Sequence, residues 1–145
     1  MKKIDAFTDG ACLGNPGPGG WGVILRFQNT EKELSGNVES TTNNRMELVA
    51  TIKALKALNE KSEVTIHTDS KYVMEGITNW IKKWKKNGWR TSSNKPVANI
   101  DLWNQLDEAL NEHSVSWTWI RGHSGHPYND RADSLARGAA QKIKE

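Results

Sequence analysis

A chain of 145 residues fits one domain and is short for two independently stable ones; at this size folding buries roughly 68–70% of the unfolded surface, so the core needs no covalent staples. One cysteine, Cys12, and no apolar run near the roughly 20 residues of a membrane span exclude a disulfide scaffold and a spanning helix, and lead us to expect a reduced, soluble, cytoplasmic protein. The net charge is only +3, but Lys82, Lys83, Lys85, Lys86 and Arg90 share one acid-free segment, and without them acids outnumber bases; such a stripe is either the footprint of a polyanion binder or a solvated helix face.

Met1-Lys2-Lys3-Ile4 opens like a signal peptide, and Asp5 interrupts it before an apolar region begins. Ile4 to Gly10 reads as a strand. A glycine-rich loop, Gly14 to Gly20, follows, and then Trp21, Val23, Leu25 and Phe27 alternate as a second strand. A third is expected over Glu33 to Thr41. From Asn43 the period changes: Leu48, Ile52 and Leu55 are spaced as on a helix running to Leu58. Val64 to Thr68 returns to strand. Ile77, Trp80, Ile81 and Trp84 repeat the helical spacing with lysines on the other face, and Gly88 ends that helix. Leu102, Leu106 and Leu110 mark another helix, Val115, Trp117 and Trp119 a last strand, and Ala132, Leu135, Ala136, Ala139 and Ile143 a final helix. Residues 1–145 are therefore expected to form a single α/β domain. A mixed five-stranded sheet starts with an antiparallel three-strand meander, and helices cover both faces.

Two motifs fail on their context. Gly17, Gly19 and Gly22 match the dinucleotide-binding glycine pattern, but a strand follows where a helix N-terminus would have to face a pyrophosphate. His123 and His126 lack the Cys or Glu that would complete a zinc set. Cys12 has no evident partner base for a nucleophilic role.

The acids are more telling. Thr8-Asp9-Gly10 and Thr68-Asp69-Ser70 end two strands in nearly the same words, and parallel neighbours would set Asp9 and Asp69 side by side at their carboxyl ends, where open α/β sheets bind ligands. Each acid also has a local reading. Asp9 and Asp69 each suit capping of the turn that follows, Asp69 in particular. Glu47 stands at capping-box spacing from Asn44, although Ala50, Thr51 and Ala54 describe a helix face able to approach a sheet. Asp133 suits a surface pair with Arg137 four residues on. Gathered in one place, four carboxylates repel unless cations neutralise them, and hard oxygen donors without cysteine select Mg²⁺ or Mn²⁺. The residues alone reach as far as metal-dependent phosphoryl chemistry.

The motifs in order resemble a known family. Thr8-Asp9-Gly10-Ala11, Asn15-Pro16-Gly17-Pro18-Gly19-Gly20-Trp21-Gly22, Thr42-Asn43-Asn44-Arg45-Met46-Glu47-Leu48 and Thr68-Asp69-Ser70 are similar to type 1 ribonuclease H. So are Trp84-Lys85-Lys86-Asn87-Gly88-Trp89 and Gly122-His123-Ser124-Gly125-His126-Pro127, with Asn129 and Asp133 completing the pattern. The resemblance implies hydrolysis of the RNA strand of an RNA–DNA hybrid, leaving a 5′-phosphate and a 3′-hydroxyl. It implies Asp9, Glu47, Asp69 and Asp133 as the catalytic ligands of two Mg²⁺ ions, with Mn²⁺ a possible substitute. His123 would assist proton transfer or product departure, work that suits an imidazole. Asn15 and Asn44 would read ribose 2′-hydroxyls, the groups that tell RNA from DNA. Thr42 and Asn99 would bind a phosphate of the DNA strand, with Ser40 standing where some relatives have arginine; Asn43 would touch the DNA side of the minor groove. Lys85, Lys86 and Arg90 would meet phosphates, while Tyr72, Trp80 and Trp84 would line the DNA channel or simply pack. The chain starts at the catalytic strand, so a separate hybrid-binding domain is not expected; nor is an obligate protein partner, and the protein is expected to be a monomer. Two competitors remain: a resolvase-like nuclease of the same broad fold, and a catalytically silent hybrid-binding module.

Overall fold

In the computed structural model, which describes residues 1–121 and 126–144, the chain forms one five-stranded mixed sheet with helices on both faces. Strands β1 (Lys3–Cys12), β2 (Gly17–Phe27) and β3 (Thr30–Thr41) form the antiparallel meander, and β4 (Glu63–Thr68) and β5 (Ser114–Trp119) add in parallel, giving the order β3-β2-β1-β4-β5. The helices are α1 (Asn43–Lys56), α2 (Lys71–Glu75), α3 (Ile81–Lys86), α4 (Ile100–Asn111) and α5 (Pro127–Lys144). Among the described residues no helix is long and apolar enough to cross a membrane.

Strand alternation assigns each face its helix. Ile4 and Ala6 of β1, Val23 and Leu25 of β2, and Val64 and Ile66 of β4 pack with Leu48, Ile52 and Leu55 of α1 and with Trp103 and Leu106 of α4 to form the main core. The opposite face receives α5, whose Ala132, Ala136 and Ala140 are fully buried. Two glycines set how close the layers come. A Cβ on Gly10 would come within 2.5 Å of the backbone of Met46 and Glu47, and one on Gly22 would run into the backbone of Ala132. Gly22 is the register partner of Asp9, so α5 approaches on the face that Asp9 presents while α1 approaches on the face of Gly10.

Three local expectations are corrected. The third strand begins at Thr30, not Glu33, because it pairs with β2 as far as Phe27. Helix α1 stops at Lys56, and its cap is Thr42: the Thr42 Oγ1 accepts from the Arg45 N–H at 3.2 Å, which releases Asn44 and Glu47 from a capping box. The helix expected around Ile77 to Trp84 is interrupted, with α2 and α3 joined by a π-helical turn, Gly76–Trp80. Gly76 there lies against the indole of Trp103, and the wider turn lets the backbone pass that ring. The segment ends near Gly88, as expected, with the Trp89 N–H returning to the Trp84 carbonyl at 2.6 Å.

Candidate active site

Asp9, on β1 two residues past its last pairing with β4, Glu47, in the first turns of α1, and Asp69, just past β4, offer carboxylate oxygens that all lie within 4.8 Å of one another. Parallel pairing of β1 with β4 brings the two strand ends together, and the bare Cα of Gly10 lets α1 carry Glu47 to the same edge. The local readings of these acids give way. Ser70, not Asp69, caps α2, accepting from the Val73 N–H at 3.1 Å. Glu47 points inward at 6% exposure, and its Oε2 is buried without a hydrogen-bond partner among the described residues. Asp9 is 5% exposed and accepts from the Gly10 N–H at 2.9 Å.

The electrostatics describe a site short of positive charge. Burial, reinforced by the charges of Asp69 and Asp133, pushes the Asp9 carboxyl up to about 7, against a hydrogen bond from Glu47 that lowers it. Glu47 is raised well above the ordinary range, first by burial and then by the charge of Asp9. Three converging carboxyl groups, one with an orphaned buried oxygen and two, Asp9 and Glu47, that resist ionisation, suit a hard divalent cation, which would satisfy Glu47 Oε2 and favour the charged form of Asp9 and Glu47. Asp133 stands at the same edge, close enough to Asp9 to raise it, but outside the group of three. Its oxygens face Arg137 Nε at 3.1 and 3.2 Å. The ion pair read from the sequence therefore exists, and it lies against the acidic edge.

Of the residues expected to meet substrate, Asn43 lines the same cavity as Asp69 and Asp133, and several of the others are tied to one another by hydrogen bonds. Asn15 Oδ1 accepts from the Asn43 N–H at 3.2 Å, tying the glycine-rich loop to the start of α1, where Asn43 and Asn44 are exposed. Tyr72 Oη accepts from Asn99 Nδ2 and from Trp103 Nε1, each at 3.0 Å. Asn99 Oδ1 in turn accepts from Arg45, whose guanidinium is paired bidentately with Asp101 at 2.8 and 3.0 Å. Asn99 and Thr42 are thus both tied to Arg45, by its side chain and by its backbone N–H. Sequence reasoning misses Arg45 and Trp103 because their partners, Asp101 and Tyr72, are distant in the chain. The one available signal for Arg45 is its place inside the Thr42 to Leu48 motif.

The basic segment is built on a cluster of aromatics packed tilted and edge-on. Trp80 contacts Tyr72 edge-on, with ring centroids 5.7 Å apart, and Trp84 lies against Trp80, Trp89 and Trp103. Trp80 and Trp84 are half-buried, so they pack as the apolar spacing requires and still present an edge to solvent. Lys85 departs from the expectation of a free charge: its ammonium is 2.7 Å from Asp107 on α4. Lys82, Lys83, Lys86 and Arg90 have no ion pair among the described residues, although Arg90 donates to the Asn94 carbonyl at 3.1 Å. His123 lies outside the described residues, and His126 accepts from the Asn129 N–H at 3.3 Å.

Known proteins match this arrangement along nearly the whole chain. The family model described as RNase H covers residues 1–141. The chain is 61% identical over 145 residues to a ribonuclease H of Chelativorans sp., covering 100% of this chain and 90% of that one. It is 59% identical over 145 residues to a ribonuclease H of Rhizobium meliloti, covering 100% and 95%. A crystal structure of a type 1 RNase H with the type 2 active-site motif superposes with a TM-score of 0.89 at 34% identity, over 99% of this chain and 74% of that one. An acidic edge of this geometry, on this strand order, in a chain so closely related along its length, places the protein in the ribonuclease H family, among the bacterial type 1 members.

Proposed function

We propose that the protein is an endonuclease that hydrolyses the RNA strand of RNA–DNA hybrids, acting as one catalytic domain over residues 1–145. The observation that carries the reading is the convergence of Asp9, Glu47 and Asp69, whose oxygens lie within 4.8 Å of one another around a buried, unpartnered Glu47 Oε2. These three, joined by Asp133, would hold two Mg²⁺ ions, with Mn²⁺ able to substitute. When bound, such a pair, about 3.5–4 Å apart, supplies charge stabilisation to both the attacking and the leaving oxygen of a phosphodiester displacement.

The chain's own residues do the rest. Asp9 and Glu47, anchored on rigid elements and shielded from bulk water, keep their carboxylates converged, so that no reorganisation is needed at the moment of reaction. Asn15 and Asn43, linked through the Asn43 N–H, and the neighbouring Asn44 present polar groups to a minor groove, where 2′-hydroxyls distinguish the RNA strand. Thr42 and Asn99 would receive a phosphate of the DNA strand. Arg45 is bound to both, although Asp101 already neutralises much of its charge, and Ser40 adds no arginine to the pocket. Lys86 and Arg90, with Lys85 partly committed to Asp107, would meet phosphates further along the duplex, with Tyr72, Trp80 and Trp84 beneath them. His123 would accept or deliver a proton as water adds to phosphorus and the 3′-oxygen departs, leaving a 5′-phosphate and a 3′-hydroxyl. The protein would act as a cytoplasmic monomer.

The deciding experiment incubates end-labelled hybrid, double-stranded RNA and a four-way junction with the protein, with Mg²⁺ or with a chelator. Mg²⁺-dependent cleavage confined to the RNA of the hybrid is expected. Junction cleavage would turn the assignment to a resolvase, and binding without turnover to a silent hybrid-binding module.

A further inference from the structure

The pair between Arg137 and Asp133 has an unusual location for a helix-surface contact. Arg137 lines the same cavity as Gly10, Asp69 and Asp133. Its Nε lies 3.2 Å from Asp133 Oδ1 and 3.1 Å from Oδ2, so both oxygens that could serve a cation are in contact with the guanidinium, while the same carboxyl reaches Asp9. Among the described residues the tightest group of converging acids is Asp9, Glu47 and Asp69, with Asp133 at its margin. The two side chains are 57% and 28% exposed, Arg137 the more open, so water reaches the pair and its partners can exchange. A solvent-exposed i,i+4 pair is weak, whereas a divalent ion brings twice the charge and bonds the carboxylate directly.

We propose that Arg137 is a resident counter-cation for Asp133: without divalent ions it neutralises that carboxylate at the margin of the other three acids, and a cation recruiting Asp133 must displace it. The proposal rests on reading the acids as cation ligands. Arg137 is then a positioning residue acting through Asp133. A first cation can settle on Asp9, Glu47 and Asp69 without disturbing it, whereas occupation that involves Asp133 is made in competition with the guanidinium. The competition sets the Mg²⁺ concentration at which the fourth ligand joins, and it supplies charge compensation while the site is empty.

The test is a Mg²⁺ titration of the whole, substrate-free chain at low ionic strength, followed by calorimetry and by melting temperature, on wild type, Arg137→Gln, Arg137→Lys, Asp133→Asn and the Asp133→Asn/Arg137→Gln double variant. Removing one unit charge a few ångströms from a divalent site in water should tighten the weaker phase of Mg²⁺ binding about three- to tenfold in Arg137→Gln. That variant should also melt below wild type without Mg²⁺, with the gap closing as Mg²⁺ is added. Arg137→Lys, which keeps the charge, should titrate like wild type, and the double variant like Asp133→Asn. Unchanged or weaker Mg²⁺ binding in Arg137→Gln, or a lysine variant that behaves like the glutamine one, overturns the proposal while leaving the acids as cation ligands. A wild type that takes up no Mg²⁺ overturns that reading, and this one with it.

Discussion

The acidic edge and the basic segment from Lys82 to Arg90 carry opposite charges and are built by opposite means. Asp9 and Glu47 are buried charges on regular elements, held by close backbone approaches, and their raised carboxyl affinities for protons show what that burial costs. The lysines are exposed charges on one short helix, α3, which follows a π turn and rests on a cluster of tryptophans packed tilted and edge-on. An active site needs fixed geometry and tolerates instability until a cation arrives; a phosphate-binding face needs charge and reach, and gives up little stability for either. Changes at the acidic edge should therefore act on turnover and on stability together, and changes in the basic segment on affinity alone.

The largest effect should come from Asp9→Asn, which removes a ligand and a buried charge at once. Turnover on hybrid should fall below about 1% of wild type, since catalysis by paired cations depends on the complete ligand set. The metal-free variant should melt higher than wild type near neutral pH through relief of repulsion. Retention of more than a few per cent of activity in a Mg²⁺ assay would take Asp9 out of the catalytic group. His123→Ala should be milder, about 10²-fold or somewhat less in turnover, with hybrid affinity nearly unchanged. Were it as inactive as Asp9→Asn, or were Mg²⁺ affinity to disappear with it, His123 would belong with the cation ligands.

For the basic segment, alanine at Lys82, Lys83, Lys85 and Lys86 should weaken hybrid binding and lower the log–log salt slope by about 0.9 for each phosphate no longer neutralised. Turnover at saturating substrate should hardly move. Lys85 should contribute least, because Asp107 already neutralises it; single replacements measured by fluorescence anisotropy at several salt concentrations would rank them. A slope that stays at the wild-type value would reduce the lysines to a solvated face.

The smallest effect concerns stability and pH. With Asp9 raised from 3.8 to about 7, and Glu47 raised as well, the folded state holds protons that the unfolded state has released. Stability from these groups is complete below about pH 4, the unfolded carboxyl range, and declines as the pH climbs through about 7. Melting temperature in chelator should therefore decline over that interval for wild type, less for Asp9→Asn, and least with saturating Mg²⁺. A flat profile in chelator would mean that the acids are already neutralised.

The meander, the order of helices and strands and the three acids that converge could be read from the chain because each rests on local signals: a period of two or 3.6, a glycine after an aspartate, a motif a few residues long. Contacts between segments distant in sequence could not be read. Gly76 needs Trp103 beside it before its helix opens into a π turn, Lys85 finds Asp107 across a layer, and Arg45 finds Asp101 and Asn99. The ambiguity of the acids had the same origin. Capping and metal ligation ask for the same residue at the same local position, and only packing shows that Thr42 and Ser70 do the capping while Glu47 and Asp69 turn to Asp9. At Asp133 four-residue spacing on a helix gives the pair with Arg137, and only the docking of α5 on the glycines of β2 brings that pair beside the other acids. Residue chemistry and short-range spacing belong to the sequence, because they act within a turn or a strand; which charges share one low-dielectric edge is decided by tertiary packing, because that edge exists only once the layers have closed.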